Sequence, residues 1–590
     1  MALDKVRVSA AMNPPILLVD DRHKLRLNGT AVVRVQAPLS VKTCAPIDLV
    51  ALINVGNSMN WTEASLAETP SRLDLVKKAM KFIIRQLEDD DRLAIVAFND
   101  QVIKEHTIGI SEISGGNRMA MEQKVDDLMA KGDTAFKPSL EHAVKLLDDR
   151  ADKKRLGLII LISDGLDNST FKWSDESAAP VDPIRNLLKK YPVHTFGLGK
   201  THDPKALHFI AKESYGTYSS ITDSIESKIL EAFAVCLGGL KSIVAIDTSV
   251  EITSSSLSIT RIDSGSYTPQ GASGNILIGT LYAGEVRDFV VHFYYTTPGW
   301  TPGYYTILSG ITANVTYKDV PRRQSTSTDR CSVSLPIHTA ESGTTPANPC
   351  PPFPVVLQQM VRFKVLDFLI SALKEFLVLK EETIGAIHGE EGDDLVLQVM
   401  GANLLQRKWK EFKQCDECWK EAPRSFLDLG GMDKDVTAMV NSLKRGLGYG
   451  CIYSWMSSYQ MQRATVTGLP SHSVETRFRT PAMEAMVQQA MEAPVPGQDK
   501  EVCKHAVEIL EMINRRFELW CKLDCDVPQG FQTSPEHEDD SEFRNLTAVL
   551  HGDISRAKQH DIYLAADHAI KLWRSSFTPE EKSHGRSLDK

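Results

Sequence analysis

The sequence predicts a multidomain chain of α/β, β and α regions: a doubly wound α/β domain, an antiparallel β-sandwich and a C-terminal helical region. Three observations support this prediction. Strand-like and helix-like segments alternate from Asp48 to about Leu240, β-branched and aromatic segments with Gly/Ser turns follow Gly239, and helical apolar stripes follow a Pro-rich stretch at 339–352. Because a chain of 590 residues is too long for one hydrophobic core, several domains are expected.

Within the α/β domain, five apolar runs are predicted to form strands. The first, 48–53, is almost continuously apolar, as expected of a parallel strand covered on both faces. Ser71 has the residue type and position of an N-cap, because a helical apolar stripe follows it. The other predicted strands are 92–98, 156–162, 193–196 and 217–220, and the other predicted helices are 136–147, 183–190, 204–213 and 225–236. In such a sheet the ligand site lies at the carboxyl ends of the strands.

Flanking segments differ from the α/β domain in their periodicity. The runs 249–253 and 288–295 read as sandwich strands, and 31–36 is a strand that would join them. Helical stripes at 355–379 and 501–523 indicate either an internal core or a helix-in-groove partner surface. The expected segments are an N-terminal segment with a possible sandwich strand (1–45), the α/β domain (46–239), the sandwich (240–335), a linker (336–353), the helical domain (354–528), and a polar segment with a C-terminal helix (529–590).

Charge and hydropathy exclude several classes of partner. A net charge of -9 without a long Lys/Arg run argues against nucleic acid. No apolar run approaches the ~18 residues of a membrane span, and the first residues lack the apolar stretch of a signal peptide. We therefore expect a cytoplasmic protein whose ten cysteines are reduced.

Polar residues at three predicted loops carry the main motif. The first strand runs into Asn54-Val55-Gly56-Asn57-Ser58, the second piece is Gly132-Asp133-Thr134, and the third is Ser163-Asp164-Gly165. Their order and spacing resemble the D-x-S-x-S, Thr and Asp loops of the von Willebrand factor A family. This resemblance implies a Rossmann-like binding module.

The resemblance implies that the five residues form a metal-ion-dependent adhesion site, in which they bind Mg²⁺ and a carboxylate of the partner completes the coordination shell. Ser58, Thr134 and Asp164 match the pattern, whereas Asn54 and Gly56 replace the first Asp and the first Ser. One negative charge and one oxygen ligand are thereby lost, and Mg²⁺ demands near-octahedral oxygen ligands. We expect a degenerate site with weak or no Mg²⁺ and no other cofactor, unless Asn57, Asp133 or Asp167 compensates.

The C-terminal half carries a second resemblance, to the helical, Vwaint-like region of plant von Willebrand A proteins in the wavy-growth ubiquitin-ligase group. The matching pieces are Gly448-Tyr449, Tyr453-Ser454-Trp455-Met456-Ser457-Ser458, Gln462-Arg463-Ala464-Thr465 and Thr480-Pro481-Ala482-Met483. Many members of that group carry a RING finger before the A domain. A RING needs about eight Cys/His ligands, and only Cys44 and His23 precede residue 50. Intrinsic ligase activity is therefore not expected.

Other motifs have simpler interpretations than catalysis. The spacing of Cys415 with Cys418, and of Cys521 with Cys525, suits zinc, but small side chains in a helical core explain it better. Gly197-Leu198-Gly199 follows a strand as in a dinucleotide loop, yet His202 stands at the third glycine position. The segment around Ser58, Gly56-Asn57-Ser58-Met59-Asn60, lacks the second glycine of a nucleophile elbow.

These features predict a non-catalytic, intracellular interaction protein that binds protein partners through the loops at the sheet edge. The alternative is a RING-less subunit or regulator of ubiquitin-ligase assemblies, pairing with RING-bearing relatives. That alternative rests on the family analogy alone.

Overall fold

The computed structural model describes residues 5–13, 17–20, 26–39, 45–62, 70–114, 116–168, 173, 183–222, 225–265, 269–270, 274–296, 306–320, 326–340, 354–386, 391–415, 430–465 and 478–491. Its architecture confirms the predicted fold class, with a Rossmann-like α/β domain, additional antiparallel sheets and C-terminal helices. The predicted helix 501–523, the segment 529–590, Cys418, Cys521 and Cys525 lie outside the described residues.

Three strands open the chain: β1 (Arg7–Asn13), β2 (Leu17–Asp20) and β3 (Arg26–Gln36). The α/β domain then contributes β4 (Ile47–Asn54), β5 (Arg92–Phe98), β6 (Ile108–Glu112), β7 (Leu156–Ser163), β8 (Val193–Leu198) and β9 (Tyr218–Ile221). They form one sheet in the order β6-β5-β4-β7-β8-β9. Every residue of β4 is buried, which explains its almost continuous apolar sequence.

The helices around this sheet are α1 (Arg72–Gln86), α2 (Asn117–Asp126), α3 (Phe136–Asp148), α4 (Pro183–Leu188), α5 (Pro204–Glu213) and α6 (Ile225–Lys241). Ser71 does cap α1, because its hydroxyl accepts from the backbone of Asp74 and the Asp74 carboxylate accepts from the backbone of Ser71. Short 3-10 turns lie at Asn57–Asn60 and Lys104–His106.

Four elements of the α/β domain are described differently by the sequence prediction and by the structure. The edge strand β6 runs antiparallel to β5, and it was missed because its five residues are only partly buried and show no apolar run. Helix α2 was missed for the same reason, since Met121 and Val125 alone are buried in it. Helix α6 continues to Lys241 rather than ending at Cys236, and α4 ends at Leu188 rather than Lys190.

The sandwich is built from strands that precede the α/β domain in the sequence and strands that follow it. Its later strands are β10 (Ile243–Ser254), β11 (Ser258–Asp263), β12 (Pro269–Gln270), β13 (Asn275–Tyr282), β14 (Val286–Thr296), β15 (Thr306–Asp319) and β16 (Thr326–Ala340). The sheets have the orders β1-β3-β14-β11 and β12-β13-β10-β15-β16-β2. All their pairings are antiparallel except β16 with β2. The α/β domain is therefore an insertion between β3 and β10.

The C-terminal helices pack on both other regions. They are α7 (Pro354–Ala386), α8 (Glu391–Gln414), α9 (Gly430–Lys444), α10 (Gly450–Met461) and α11 (Pro481–Met491). The predicted stripe on α7 is buried, and its residues share one apolar cluster with Val32 and Val290 of the sandwich and with Leu207 of α5. Among the helices of the described segments, none is long and apolar enough to cross a bilayer.

A buried charge cluster joins the three regions. Glu285, in the turn before β14, lies 2.7 Å from a guanidinium nitrogen of Arg287 and 2.9 Å from Nε of Arg463, and all three side chains are at most 2% exposed. Arg463 also donates to the carbonyl of Thr280 in the sandwich and to that of Tyr215 in the α/β domain. Burial alone would raise the pKa of Glu285, but the two guanidinium groups hold it below its usual value.

Gln462, the residue before Arg463, bonds the backbone of the sandwich strand β14 through its side-chain amide. Gln462 accepts from the backbone N–H of Asp288 at 2.8 Å and donates to the carbonyl of Asp288 at 3.0 Å. Its own backbone ends α10 in the left-handed region, with φ of 50°. The resemblance motif at 462–465 is thus the connection that fixes the helical region to the sandwich.

Replacing Arg463 with Met should lower the free energy of unfolding by about 3–5 kcal/mol, because Glu285 and the carbonyl groups lose a buried partner. Arg261→Met is the matched control, since the Arg261 side chain is 57% exposed beside Asp263 and an exposed pair is worth at most about 1 kcal/mol. Urea unfolding of the full chain measures both. Equal losses in the two variants would contradict a joining role for Arg463.

Candidate functional site

The motif residues converge at the carboxyl edge of the central sheet. Asn54 ends β4, Ser163 ends β7, and Thr134 lies in the loop before α3. Because β4 and β7 are adjacent and parallel, their carboxyl ends bring these side chains together. All three are buried, at 3% exposure or less.

Asn54 links the loops as a hydrogen-bonding hub. Its Oδ1 accepts from the backbone N–H of Gly56 at 2.6 Å, and since that group can only donate, the orientation of the amide is fixed. Its Nδ2 therefore donates to Thr134 Oγ1 at 2.9 Å and to Ser163 Oγ at 2.8 Å. The amide presents N–H groups to Thr134, where the family resemblance implies a carboxylate.

Gly56 sits in a space closed by its neighbours. A Cβ added there would lie 2.8 Å from the backbone carbonyl oxygen of Asp133 and 3.1 Å from Thr134 Oγ1. A serine at this position would require the loop at Asp133 to move. The loss of the hydroxyl is therefore matched by tighter packing of the loops.

Asp164 is paired with a cation supplied by the protein. Its Oδ1 accepts from Ser58 Oγ at 2.7 Å, and its Oδ2 accepts from Nη1 of Arg72 at 2.8 Å. The Asp164 side chain is fully buried and that of Arg72 is 9% exposed. Burial raises the pKa of the Asp164 carboxyl above its usual value, against the opposing effects of Ser58 and Arg72.

Arg72 is the site residue that the sequence prediction missed. It is the first residue of α1 and also donates to Thr201 Oγ1 at 3.2 Å. A cation at a helix N-terminus opposes the helix dipole, and this misplaced charge was the available sequence signal. Gly199, with φ of 68°, makes the space for Arg72, because a Cβ there would lie 2.3 Å from the guanidinium group.

The same Gly-Leu-Gly loop accommodates a buried histidine. A Cβ on Gly197 would lie 2.2 Å from the His202 ring. His202 contacts the Gly199 carbonyl through Nδ1 at 2.5 Å and the Tyr218 hydroxyl through Nε2 at 2.6 Å. These glycines thus make room for the side chains of Arg72 and His202. Burial lowers the pKa of His202 to about 4, and Arg72 acts in the same direction.

The three candidate compensating residues lie in different environments. Asn57 and Asp133 are exposed on the surface of their loops. Asp167 instead binds protein groups, since its carboxylate accepts from the backbone N–H of Phe136 at 3.2 Å and from the indole N–H of Trp173. Asp167 therefore anchors the start of α3.

Protein groups occupy several of the polar atoms at this edge that a cation would need. A divalent cation needs oxygen lone pairs and nearby negative charge, but Asp164 is neutralised by Arg72 and Asn54 directs N–H groups toward Thr134. Elsewhere, within the segments that the structure describes, no group of three His, Cys, Asp or Glu residues is arranged to hold a metal ion. Cys415, from the predicted cysteine pair, is half-buried just after α8.

Comparison with known proteins gives three kinds of match. Residues 47–220 match the von Willebrand factor type A domain. The chain is 28% identical over 274 residues to the E3 ubiquitin-protein ligase WAV3 of Arabidopsis thaliana, covering 45% of this chain and 33% of that protein. It is 24% identical over 253 residues to the probable E3 ubiquitin-protein ligase WAVH2 of the same plant, covering 42% and 32%. The chain thus spans about a third of the length of these curated relatives.

Solved structures also resemble this fold. A von Willebrand factor type A protein from Catenulispora acidiphila has a TM-score of 0.47 and 16% identity, with 70% of this chain and 88% of that chain covered. The ArnB paralog VWA2 from Sulfolobus acidocaldarius has a TM-score of 0.41 and 16% identity, with 77% and 99% covered.

Arg72→Met should destabilise the chain by about 3–5 kcal/mol, because it leaves the Asp164 carboxylate buried without a counter-charge. The double variant Arg72→Met, Asp164→Asn should recover most of that loss, since it removes both charges. Urea unfolding of the single and double variants tests this. If the double variant is no more stable than the single one, the ion pair is not what holds the loops.

Acid should destabilise the fold partly through His202. The folded side chain stays neutral down to about pH 4, whereas an unfolded histidine gains a proton near pH ~6.5. The stability that neutral His202 contributes is therefore fully present above pH ~6.5 and is lost as the pH falls toward 4. The loss is about 2 kcal/mol at pH ~5. His202→Gln should show a correspondingly smaller loss between pH ~7.5 and ~5 in thermal unfolding. An unchanged pH dependence would refute this assignment.

Proposed function

We propose that the von Willebrand factor type A domain contained in this chain binds partner proteins without a metal ion. The proposal places the chain in the cytoplasm as a non-catalytic interaction protein. Its binding face is the site face, defined as the three loops that carry Ser58, Thr134 and Asp164. The single observation that supports it most strongly is the Arg72–Asp164 ion pair.

This ion pair takes over the two roles of a metal. It neutralises the buried carboxylate, and it ties α1 to the loop after β7. A partner's acidic side chain would consequently find no open cation at the centre of the site face. Recognition must then come from the residues around the centre.

Exposed apolar side chains surround that centre. Trp61 is 59% exposed, Met129 is 68% exposed and Leu166 is 58% exposed, and each lies on one of the three loops of the site face. The Arg72 guanidinium lies 5.9 Å from the Trp61 ring, which orients the indole. Large apolar side chains on a polar surface are typical of protein-binding patches, and Trp is enriched among their anchor residues.

A second candidate is a regulatory role in ubiquitin-ligase assemblies. Its support is the similarity to two plant proteins named as E3 ubiquitin-protein ligases. In this version the chain has no ligase activity of its own and pairs with RING-bearing relatives through the site face. The two candidates are compatible, because they differ only in the partner.

Affinity purification of tagged full-length chain, with partners identified by mass spectrometry, tests both candidates. Trp61→Ala with Leu166→Ala should weaken capture of the main partners about tenfold or more, as loss of an interface anchor does. Val378→Ala with Met491→Ala is the matched control, since both side chains are 52% exposed on distant helices. The control should retain its partners.

The metal dependence is checked in the same experiment by adding EDTA or Mg²⁺. An unchanged partner list supports the metal-free proposal, whereas partners lost in EDTA contradict it. RING-bearing relatives among the captured proteins favour the second candidate. Ubiquitin transfer by the isolated chain would overturn the non-catalytic assignment.

A further inference from the structure

A cleft of about 1020 Å³ opens at the end of the α/β sheet opposite to the site face. One wall consists of the segments that lead into β4, β7 and β8, and the other consists of β10, β13 and β15 of the sandwich. It therefore lies between two regions whose relative position is fixed by the buried cluster at Glu285. Ligand pockets of proteins commonly have this size and lie between domains.

The lining of this cleft is strongly basic. Seven lysine and arginine side chains face it, against two carboxylates, although the whole chain has a net charge of -9. Lys318 is neutralised by Asp247 and Lys190 by Asp148. The exposed residues Lys153, Lys154 and Lys189 remain as cations that could contact a ligand.

Two largely buried arginines, Arg150 and Arg155, line the cleft. Asp48, which is fully buried, binds three guanidinium groups: Arg92 at 2.7 Å, Arg155 at 2.8 Å and Arg150 at 3.2 Å. The carboxylates of Asp152 and Glu112 also act on Arg92. Arg150 and Arg155, in contrast, have ion pairs within the described residues only with the shared Asp48, so an anion in the cleft would complete their pairing.

Two arginines of the cleft also have buried hydrogen-bond donors that an anion could accept from. Arg150 is only 7% exposed and lines the cleft, yet its Nε has no hydrogen-bond partner among the described residues. Nη2 of Arg155, also in the lining, is likewise buried without one. Arg150 is held in place between Gly157, where a Cβ would lie 2.5 Å from it, and the Tyr191 ring at 5.5 Å.

We propose that this cleft binds a compact, multiply phosphorylated small molecule. Planar guanidinium groups match phosphate oxygens in pairs, and lysines supply mobile point charges around them. Each phosphate monoester brings roughly two charges, whereas carboxylates on one face of an extended peptide carry one charge about every 6.6 Å. The concentration of cations in one enclosed volume favours the phosphorylated small molecule over an acidic peptide.

Isothermal titration of the full chain with inositol hexakisphosphate tests the proposal, with inorganic phosphate and deca-glutamate as comparison ligands. Inositol hexakisphosphate should bind most tightly, and its affinity should fall as salt is raised. Lys153→Glu, Lys154→Glu, Lys189→Glu should weaken binding at least tenfold. These side chains are exposed, so the variant should fold.

The matched control is Lys104→Glu, Lys124→Glu, Lys205→Glu, which makes the same charge change at exposed positions outside the cleft. This control should keep its affinity to within about threefold, because distant surface charges are screened. Absence of binding, an equal loss in the control, or tighter binding of deca-glutamate would each overturn the proposal. The last result would indicate an acidic protein as the ligand.

Discussion

The three regions depend on one buried carboxylate. Glu285 is flanked by Arg287 and Arg463, and Arg463 reaches carbonyl groups of the sandwich and the α/β domain from the end of a C-terminal helix. Burying these charges is unfavourable unless every partner is present. The cluster therefore forms only when all three regions are correctly placed, and it selects one arrangement of them. The cleft between the α/β domain and the sandwich depends on this cluster for its geometry.

At the site face the charges of the side chains balance one another, as a metal and its carboxylate ligands would, but the groups that carry the charges differ. The family resemblance implies a divalent cation between two carboxylates, and here a single guanidinium faces a single carboxylate, Asp164, with the neutral amide of Asn54 beside it. These residues fit together: the Asn54 amide carries no charge, Arg72 balances the charge of Asp164, and Gly199 leaves room for the Arg72 guanidinium group. The Arg72–Asp164 ion pair and the hydrogen bonds of Asn54 connect the loops through protein groups. If partners bind here as proposed, their binding should not follow the concentration of a metal.

The sequence was sufficient for the fold class and for the loops that meet at the sheet edge, but not for the Arg72–Asp164 contact between them. Long apolar runs such as β4 reveal buried parallel strands, and three short loops in the right order identify the sheet edge. Arg72 was missed because it lies fourteen positions beyond Ser58 and over a hundred from Gly199, so only the folded chain brings them together. β6 and α2 were missed because a partly exposed edge element needs little apolar sequence. Four of the seven basic residues of the cleft lie together at 150–155, but the sandwich wall opposite them is far away in the sequence, so the enclosed volume could not be predicted.

The insertion of the α/β domain between β3 and β10 also constrains how the chain is made. β3 pairs with β14, and Val33 lies opposite Phe289. This pair can form only after the whole inserted domain has been synthesised. The early strands meanwhile carry unpaired edges and apolar faces, which invite aggregation. Pairing over such a sequence separation is slow, whereas the inserted domain has mostly local crossovers and can fold first. During synthesis the segment β1–β3 is thus vulnerable to aggregation, and the completed inserted domain brings β3 and β14 close enough to pair.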